Sequence, residues 1–197
     1  MGRRKVRTDA LRDELLTVAT GLLDAGGSAA VTTRAVAAGA DSSLAAVNEL
    51  FGGKAGLVRA IFAEGFARLA QELAALETGD DPETDVLALA LTIRSFAHRH
   101  PHLYEVMFSR PFAEFRPDAE DTRAAEAIYQ VVVVRVAAVV GRGLARDAAI
   151  GLFATVQGLV GLESSGLLGS TPRSIDLRFR LTVTATLNGF AGRRHEH

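Results

Sequence analysis

The sequence predicts an all-α protein. Apolar residues recur at helical spacing in several segments, glycine pairs and an Asp-Pro step mark the ends of those segments, and no Asn-Gly turn joins two alternating runs. The segment 146–168 has the length of a helix. Two other segments, 131–134 and 175–183, are ambiguous. Taken alone, each is as typical of a strand as of a helix. The first is a run of four valines, and the second alternates polar and apolar residues with a period of two.

Three helices are predicted within residues 1–53, which we expect to form one domain. An apolar stripe in 11–23 predicts the first helix, and the glycine pair 26–27 is placed to end it. Thr32 and Ser43 each precede a short helical segment and are typical N-cap residues. The residues expected to face inward on the two short helices are small or apolar: Val36, Ala37, Ala40, Val47 and Phe51.

We expect the remaining residues, 54–197, to form a second helical domain. Its first helix begins at Lys54 and reaches about residue 76, and the sequence Asp-Pro-Glu at 81–83 is typical of the start of another. Pro101 opens a short helix, and a loop is expected after it at 109–117. The segment 146–168 places these residues near one helix face: Ile150, Phe153, Ala154, Gln157, Val160 and Leu167.

Composition narrows the class of protein. The chain has 197 residues, of which 48% are hydrophobic and 23% charged, as in a folded globular protein. It has no cysteine, which excludes disulfides, thiol nucleophiles and zinc-thiolate sites. The start lacks the pattern of a signal peptide, and no charge-free apolar stretch of about 18 residues follows. We therefore expect a cytoplasmic protein with no membrane association.

Charge is unevenly distributed. The formal net charge is −1, yet residues 1–7 carry four basic residues and no acidic one: Arg3, Arg4, Lys5 and Arg7. A basic arm on a mildly acidic body is typical of local contact with a polyanion. By itself the same pattern is equally typical of a solvated terminus.

No motif for catalysis or cofactor binding is present. The sequence lacks a HExxH zinc motif, a Gly-rich dinucleotide turn and a Gly-x-Ser-x-Gly nucleophile elbow, so we expect neither an enzyme nor a bound cofactor. His98 and His102 are four residues apart, which is a metal-ligand spacing on a helix. Pro101 interrupts the helix between them, and we predict no metal site there.

The N-terminal sequence resembles the tetracycline-repressor (TetR) family of bacterial transcription regulators. The resemblance rests on several anchors at fixed spacing: Leu15-Leu16, Ala19, Gly27, Thr32, Val36-Ala37, Ala40, Ser43, Phe51, Lys54 and Leu57. The segments 101–108 and 153–159 are similar to the ligand-binding domain of one large TetR subgroup. The resemblance implies helices for both ambiguous segments and a helix-turn-helix in the first domain.

The resemblance also implies a role in binding double-stranded DNA. Lys54 follows two glycines at a helix start, where its ammonium and the adjacent backbone N–H groups can grip one phosphate. The expected recognition helix begins after Ser43 and turns its outer side to base edges. The DNA contacts predicted in this way are Arg3, Arg4, Lys5, Thr32, Thr33, Arg34, Ser43, Leu44, Ala45, Asn48, Glu49 and Lys54.

By the same resemblance, the second domain would bind a small apolar effector and form a homodimer. The two last long helices, about 146–168 and 175–191, would pair with those of a second copy and set the recognition helices one DNA turn apart. The effector would release a repressor from its operator. The residues predicted to line its pocket are Tyr104, Met107, Phe108, Phe112, Phe153 and Gln157, with Phe115 nearby.

Four residues depart from the family pattern. Asp41 replaces a turn glycine, Ser42 replaces a buried valine, and Glu49-Leu50 replaces residues that usually lie near phosphates. We therefore predict few base-edge hydrogen bonds and a strongly salt-dependent affinity that relies on the arm and Arg34. The alternative hypothesis is a helical small-molecule-binding or enzymatic protein that has lost DNA binding.

Overall fold

The structure, a computed structural model, describes residues 2–109 and 112–195, and the side chains of 2–7, 120, 124, 194 and 195 lie outside this description. Every regular element within these ranges is helical, which confirms the all-α prediction. The elements are α1 (Gly2–Ala30), α2 (Thr33–Gly39), α3 (Leu44–Phe51), α4 (Lys54–Ala74), α5 (Pro82–Arg99), α6 (Pro101–Phe108), α7 (Ala119–Val140), α8 (Ala145–Ser164), α9 (Pro172–Ala191) and a 3₁₀ turn (Gly192–His195).

The helices form two compact units. The first contains the residues up to Arg68 together with Arg99–Ala124, and the second contains Leu69–His98 together with the residues from Ala125 onward. Helices α4 and α7 contribute to both units. The functional division predicted at residue 53 stays a prediction, because these units are defined by packing alone.

No single described helix is long and apolar enough to cross a membrane. The helical segments 121–140 and 145–164 meet that standard only as a pair, and the two are bent by 113° relative to each other.

In the first unit, α1 packs against α2 and α6. The predicted stop at the glycine pair is a break within α1, because Gly27 has a positive φ of 65° and one further turn continues to Ala30. Gly27 is buried, and a Cβ atom there would lie 3.4 Å from the His102 ring. Three residues at steps of four form the buried stripe of α1: Leu15, Ala19 and Leu23.

In the second unit, both segments with strand-like patterns are helical. The valine run lies within α7, where Val132, Val136 and Val140 are buried at steps of four. The alternating segment lies within α9, where the buried residues also recur every four positions, as Phe179 and Val183 do. Burial along one helical stripe outweighs the local preference of β-branched residues for strands. The strand interpretation is therefore wrong, and the helices implied by the family resemblance are confirmed.

The face of α8 singled out from sequence is largely its outer face. Ile150 leaves 59% of its surface exposed, and Leu167, which follows the helix, leaves 74%. The core side of α8 is a second stripe, on which only Val160 is shared: Ala145, Ala148, Ala149, Leu152, Val156, Leu159 and Val160. This helix carries two apolar stripes, and periodicity alone does not show which of them faces the core.

Candidate nucleic-acid interface

Helix α2 begins at a side-chain cap. The Thr32 hydroxyl oxygen accepts a hydrogen bond from the Ala35 backbone N–H at 3.1 Å, which confirms the predicted N-cap. Val36 and Ala37 are buried, so α2 lies against the core on that side. Of the predicted DNA contacts on α2, Thr33 is half-buried and Arg34 is exposed.

The turn between α2 and α3 is tight and contains one strained residue. Asp41 has a φ of 45° and is the one non-glycine residue with a positive φ in the described part of the chain. An aspartate tolerates this left-handed conformation better than most residues, at a cost of about 1 kcal/mol. The turn closes where the Ser42 backbone N–H donates to the Ala37 carbonyl at 2.8 Å.

Helix α3 is capped at both ends. The Ser43 side-chain oxygen accepts a hydrogen bond from the Ala46 N–H at 3.1 Å, which confirms the second predicted N-cap. At the other end Gly52 has a left-handed conformation, and its N–H donates to the Asn48 carbonyl at 2.9 Å. These bonds satisfy terminal backbone groups without the help of other elements.

The two sides of α3 differ in chemistry. Val47 and Phe51 are buried, as predicted, and fix the helix to the unit. The opposite side carries two apolar residues, one amide and one carboxylate, and all four are exposed: Leu44, Ala45, Asn48 and Glu49. The amide offers both a donor and an acceptor to a base edge, whereas the carboxylate only accepts.

The junction of α3 with α4 leaves no room for a side chain at Gly56. A Cβ atom there would lie 1.6 Å from the Phe51 carbonyl oxygen. Lys54, the first residue of α4, is half-buried, and its Nζ lies 3.0 Å from Glu114 Oε1 and 5.6 Å from the centre of the Phe112 ring. The predicted phosphate contact is thus paired with a carboxylate in this structure.

Arg12 is a cation beside α3 that the sequence motifs do not reveal. It is exposed, and its guanidinium carbon lies 5.2 Å from the centre of the Phe51 ring. Arg12 lines a cleft of about 730 Å³ within the first unit. Leu50, Arg59 and Asp121 also line this cleft. Only the folding of α1 against the end of α3 places this residue here, so no pattern in the sequence identifies it.

The basic residues Arg3, Arg4 and Lys5 lie on the first turns of α1. Their side chains are outside the described part, so their expected contact with a polyanion stays a prediction.

Most of the residues predicted to bind an effector lie in the first unit. Tyr104 and Met107 on α6 are buried, Phe108 is half-buried, and Phe112 is buried beside Lys54. The Tyr104 hydroxyl is buried and has no hydrogen-bond partner within the described residues, and burial raises its pKa. Tyr104 also lies at one end of a series of aromatic rings with successive centres 4.6–5.6 Å apart: Tyr104, Phe108, Phe66, Phe62 and Phe115.

The other two predicted effector contacts, Phe153 and Gln157, lie on α8 in the second unit and are half-buried. The Gln157 amide nitrogen is buried and has no hydrogen-bond partner among the described residues. A buried polar group in this state is costly and needs an explanation.

The outer side of α8 and α9 is unusually apolar for a surface. Large hydrophobic residues on or just after these two helices are 43–74% exposed: Ile150, Leu162, Leu167, Leu177 and Leu181. Exposed apolar residues grouped on two neighbouring helices are typical of interaction surfaces.

His98 and His102 do not share a site. The His98 Nε2 atom lies 3.0 Å from Glu163 Oε2, and the His102 Nδ1 atom lies 3.8 Å from Glu105 Oε2. Within the described residues no three potential metal-ligating side chains come together.

Two short helices with side-chain N-caps, joined by a tight turn, form a helix-turn-helix within an all-α chain. The sequence indicates the family, because residues 86–186 match the family described as the tetracyclin repressor-like C-terminal domain. The chain belongs to the TetR family of transcription regulators. A comparison with curated protein sequences finds no match.

Solved structures have the same fold. A Rhodococcus sp. RHA1 protein of unknown function is 28% identical, with a TM-score of 0.78 over 92% of this chain and 95% of that one. A variant of TetR from Acinetobacter baumannii AYE in complex with minocycline is 18% identical, with a TM-score of 0.66 over 91% and 96%. Apo ActR from Streptomyces coelicolor is 17% identical, with a TM-score of 0.65 over 94% and 96%.

Proposed function

We propose that this regulator is a repressor that binds a pseudo-palindromic operator as a homodimer and is released from it by a small apolar molecule. The orientation of α3 is the observation that carries the proposal. Val47 and Phe51 fix one side of the helix to the unit, while the exposed side is free to enter a DNA groove. A helix presented in this way is what major-groove recognition requires.

The proposed contacts divide into base-reading and phosphate-binding groups. Asn48 has the amide that pairs with adenine N6 and N7, and Glu49 accepts a hydrogen bond from cytosine N4. Leu44 and Ala45 contact thymine methyl groups. The phosphate-binding group is the larger one and consists of Arg3, Arg4, Lys5, Thr32, Thr33, Arg34, Ser43 and Lys54. With so few base contacts, DNA shape contributes to specificity.

We also propose that the outer apolar side of α8 and α9 binds a second copy of this chain. Leu177 and Leu181 on α9 are 55% and 60% exposed, and Ile150 on α8 is 59% exposed. A homodimer buries these residues and separates its two α3 helices by about 34–36 Å, one turn of DNA. That spacing explains the expected two-fold symmetry of the operator.

The proposed effector binds in the helical region beyond the helix-turn-helix. Support comes from two separate buried polar groups that have no hydrogen-bond partner among the described residues: the Tyr104 hydroxyl in the first unit and the Gln157 amide nitrogen in the second. A mostly apolar molecule with a hydrogen-bond acceptor satisfies such a group and lowers the free energy of the state that it binds. Release from DNA follows when that state has the lower DNA affinity.

DNA binding is tested with a fluorescent duplex from the region upstream of the protein's own gene, by anisotropy. We expect the wild type to prefer this duplex over a shuffled one. Asn48→Ala should reduce the preference, whereas Lys54→Ala should weaken binding to both duplexes and Arg123→Ala, an exposed control, should change neither. If the wild type binds no duplex, the proposal is wrong and the alternative of a ligand-binding protein without DNA affinity is favoured.

The homodimer is tested by light scattering after size-exclusion chromatography. Leu181→Glu places a charge on the apolar side of α9 and should produce a monomer. Val134→Glu is the matched control, because Val134 is 69% exposed and lies on α7, which is not one of the two helices proposed for the interface. A wild-type protein that elutes as a monomer would contradict the proposal.

The effector is tested by incubating the protein with a bacterial metabolite extract and identifying by mass spectrometry the compounds that remain bound. Tyr104→Phe keeps the ring and removes only the unpartnered hydroxyl. We expect this variant to retain its fold and to bind the recovered compound more weakly. Equal recovery by both proteins would exclude Tyr104 as a contact.

A further inference from the structure

The ammonium of Lys54 already has an acidic partner. Its Nζ lies 3.0 Å from Glu114 Oε1, although the two residues are 60 positions apart in the sequence. The backbone N–H of Glu114 and the Lys54 ammonium both hold the pKa of this carboxyl below its usual range. Glu114 is therefore ionised at neutral pH, and it cancels the charge that a DNA phosphate would use.

The position of Glu114 is set by the segment that carries it. Residues 112–118 lie in the connection between α6 and α7, and Phe112 and Phe115 on either side of Glu114 are buried. The Phe115 ring centre lies 5.2 Å from that of Phe62 on α4, which anchors the segment to this helix. Because its neighbours point inward, Glu114 is held at the surface next to the first turn of α4.

A second ion pair fixes the far end of the same segment. Arg59 on α4 donates to Asp118 Oδ2 at 2.7 Å and lies 3.3 Å from Asp121 Oδ2. Asp121 is almost fully buried, so this end of the connection is well fixed. The backbone that carries Glu114 is consequently held by contacts other than the ion pair with Lys54.

We propose that Glu114 is a positioning residue that competes with DNA phosphate for Lys54 and so limits the operator affinity of this protein. The inference rests on the proposed function, in which Lys54 contacts the DNA backbone. A phosphate must either displace Glu114 from the ammonium or bind beside a second negative charge, and both lower the affinity.

The ion pair between Lys54 and Glu114 is weak enough for a DNA phosphate to compete with it. The side chains of Lys54 and Glu114 are 38% and 49% exposed, and ion pairs at such positions are weak. Removing the carboxylate should therefore tighten binding by about twofold to fivefold per protomer. A phosphate is thus still able to take the ammonium from Glu114 when DNA binds.

The test uses the full chain and the same upstream duplex, by anisotropy between about 50 and 200 mM salt. Glu114→Gln keeps the size of the side chain and removes its charge. We expect it to bind more tightly than the wild type throughout this range of salt concentrations, because no carboxylate then competes with the phosphate for Lys54. Glu105→Gln, an exposed charge change on α6, is the matched control and should bind as the wild type does.

A double-mutant cycle separates competition from general repulsion of DNA. In a Lys54→Ala background, Glu114→Gln should have no effect, because no ammonium remains to compete for. A gain in affinity that persists in this background overturns the proposal, as does a Glu114→Gln variant that binds like the wild type. If Lys54→Ala itself leaves affinity unchanged, the phosphate contact of the proposed function is wrong. A loss with Lys54→Ala and no gain with Glu114→Gln contradicts only the competition.

Discussion

The α3 side of the first unit and the interior of the second unit are held by different kinds of contact. Around α3 the shaping hydrogen bonds are local: Thr32 and Ser43 each cap a backbone N–H three residues later. In the second unit, Arg94 donates to Glu163, 69 residues away, through Nε at 2.8 Å and Nη2 at 2.7 Å. The exposed α3 side is thus shaped by local hydrogen bonds, whereas the interior of the second unit is held by charges that are distant in sequence.

The difference fits the proposed function, in which α3 enters a DNA groove. A helix that enters a DNA groove has little of its surface left for packing, so its ends and its junctions must define its conformation. In the second unit, Arg94 also binds Asp176 Oδ1 at 3.0 Å and lies 4.8 Å from the Phe179 ring centre. One guanidinium thus joins α5, α8 and α9. We expect changes at the α3 junctions to alter shape and DNA binding, and changes at Arg94 to alter stability.

The largest effect is expected at the α3–α4 junction. Gly56→Ala adds a Cβ atom 1.6 Å from the Phe51 carbonyl oxygen, and backbone on both sides must move to relieve the overlap. The free energy of unfolding should fall by roughly 3–5 kcal/mol, at the upper end for a single substitution. Thermal unfolding followed by circular dichroism measures the change, and anisotropy should show loss of DNA binding.

The matched control is Gly21→Ala on α1. A Cβ atom at Gly21 meets nothing within 4 Å, and alanine favours a helix interior, so stability should rise by about 0.5–1 kcal/mol. If Gly56→Ala were as stable as this control, the junction would be less constrained than its geometry indicates.

The same contrast explains what was predictable from the sequence. The caps at Thr32 and Ser43, the left-handed turn at Asp41 and the inward side of α3 depend on residues within one helical turn, and the sequence places these next to one another. The partners of Lys54 and Arg94 lie 60 to 82 residues away, and only the packing of helices brings them together. The position of Arg12 beside α3 and the choice between two apolar stripes on α8 have the same origin.

A second large effect is expected from Arg94→Ala. The side chains of Arg94 and Glu163 are only 14% and 11% exposed, so the variant leaves a nearly buried carboxylate without its main partner. The expected loss is roughly 2–4 kcal/mol in the free energy of unfolding. Arg180→Ala is the control, since Arg180 binds the same Asp176 at an exposed site and should cost about 0.5 kcal/mol or less. Equal losses in both variants would remove the distinction between interior and surface charges.

The stability of the second unit should depend on pH through the same carboxylate. The hydrogen bond from Arg94 holds the pKa of Glu163 below its ordinary value of 4.5, so the folded chain binds this proton less readily than the unfolded chain. The stabilisation is complete above the unfolded pKa and is lost as pH falls through the folded one. Melting temperatures of the wild type and Glu163→Gln should therefore differ most above pH 4.5 and converge as the pH falls from 4.5 through the lowered pKa of Glu163. A constant difference at every pH would show that the charge of Glu163 is not involved.

The smallest effect on stability, and the sharpest test of the contrast, is expected at Arg12. Unlike Arg94, its guanidinium has no ion pair with any carboxylate that the structure describes, and it lies at the flank of α3 beside Leu50. An apolar residue such as Leu50 cannot bind phosphate, and we expect the nearby Arg12 guanidinium to supply that contact when α3 binds DNA as proposed. Arg12→Gln should change the free energy of unfolding by less than about 0.5 kcal/mol. It should nevertheless lower DNA affinity several-fold and reduce the salt dependence by about 0.9 per protomer, whereas Arg123→Gln should do neither. If Arg12→Gln lost as much stability as Arg94→Ala and its salt dependence did not change, Arg12 would stabilise the fold as Arg94 does and would not bind DNA.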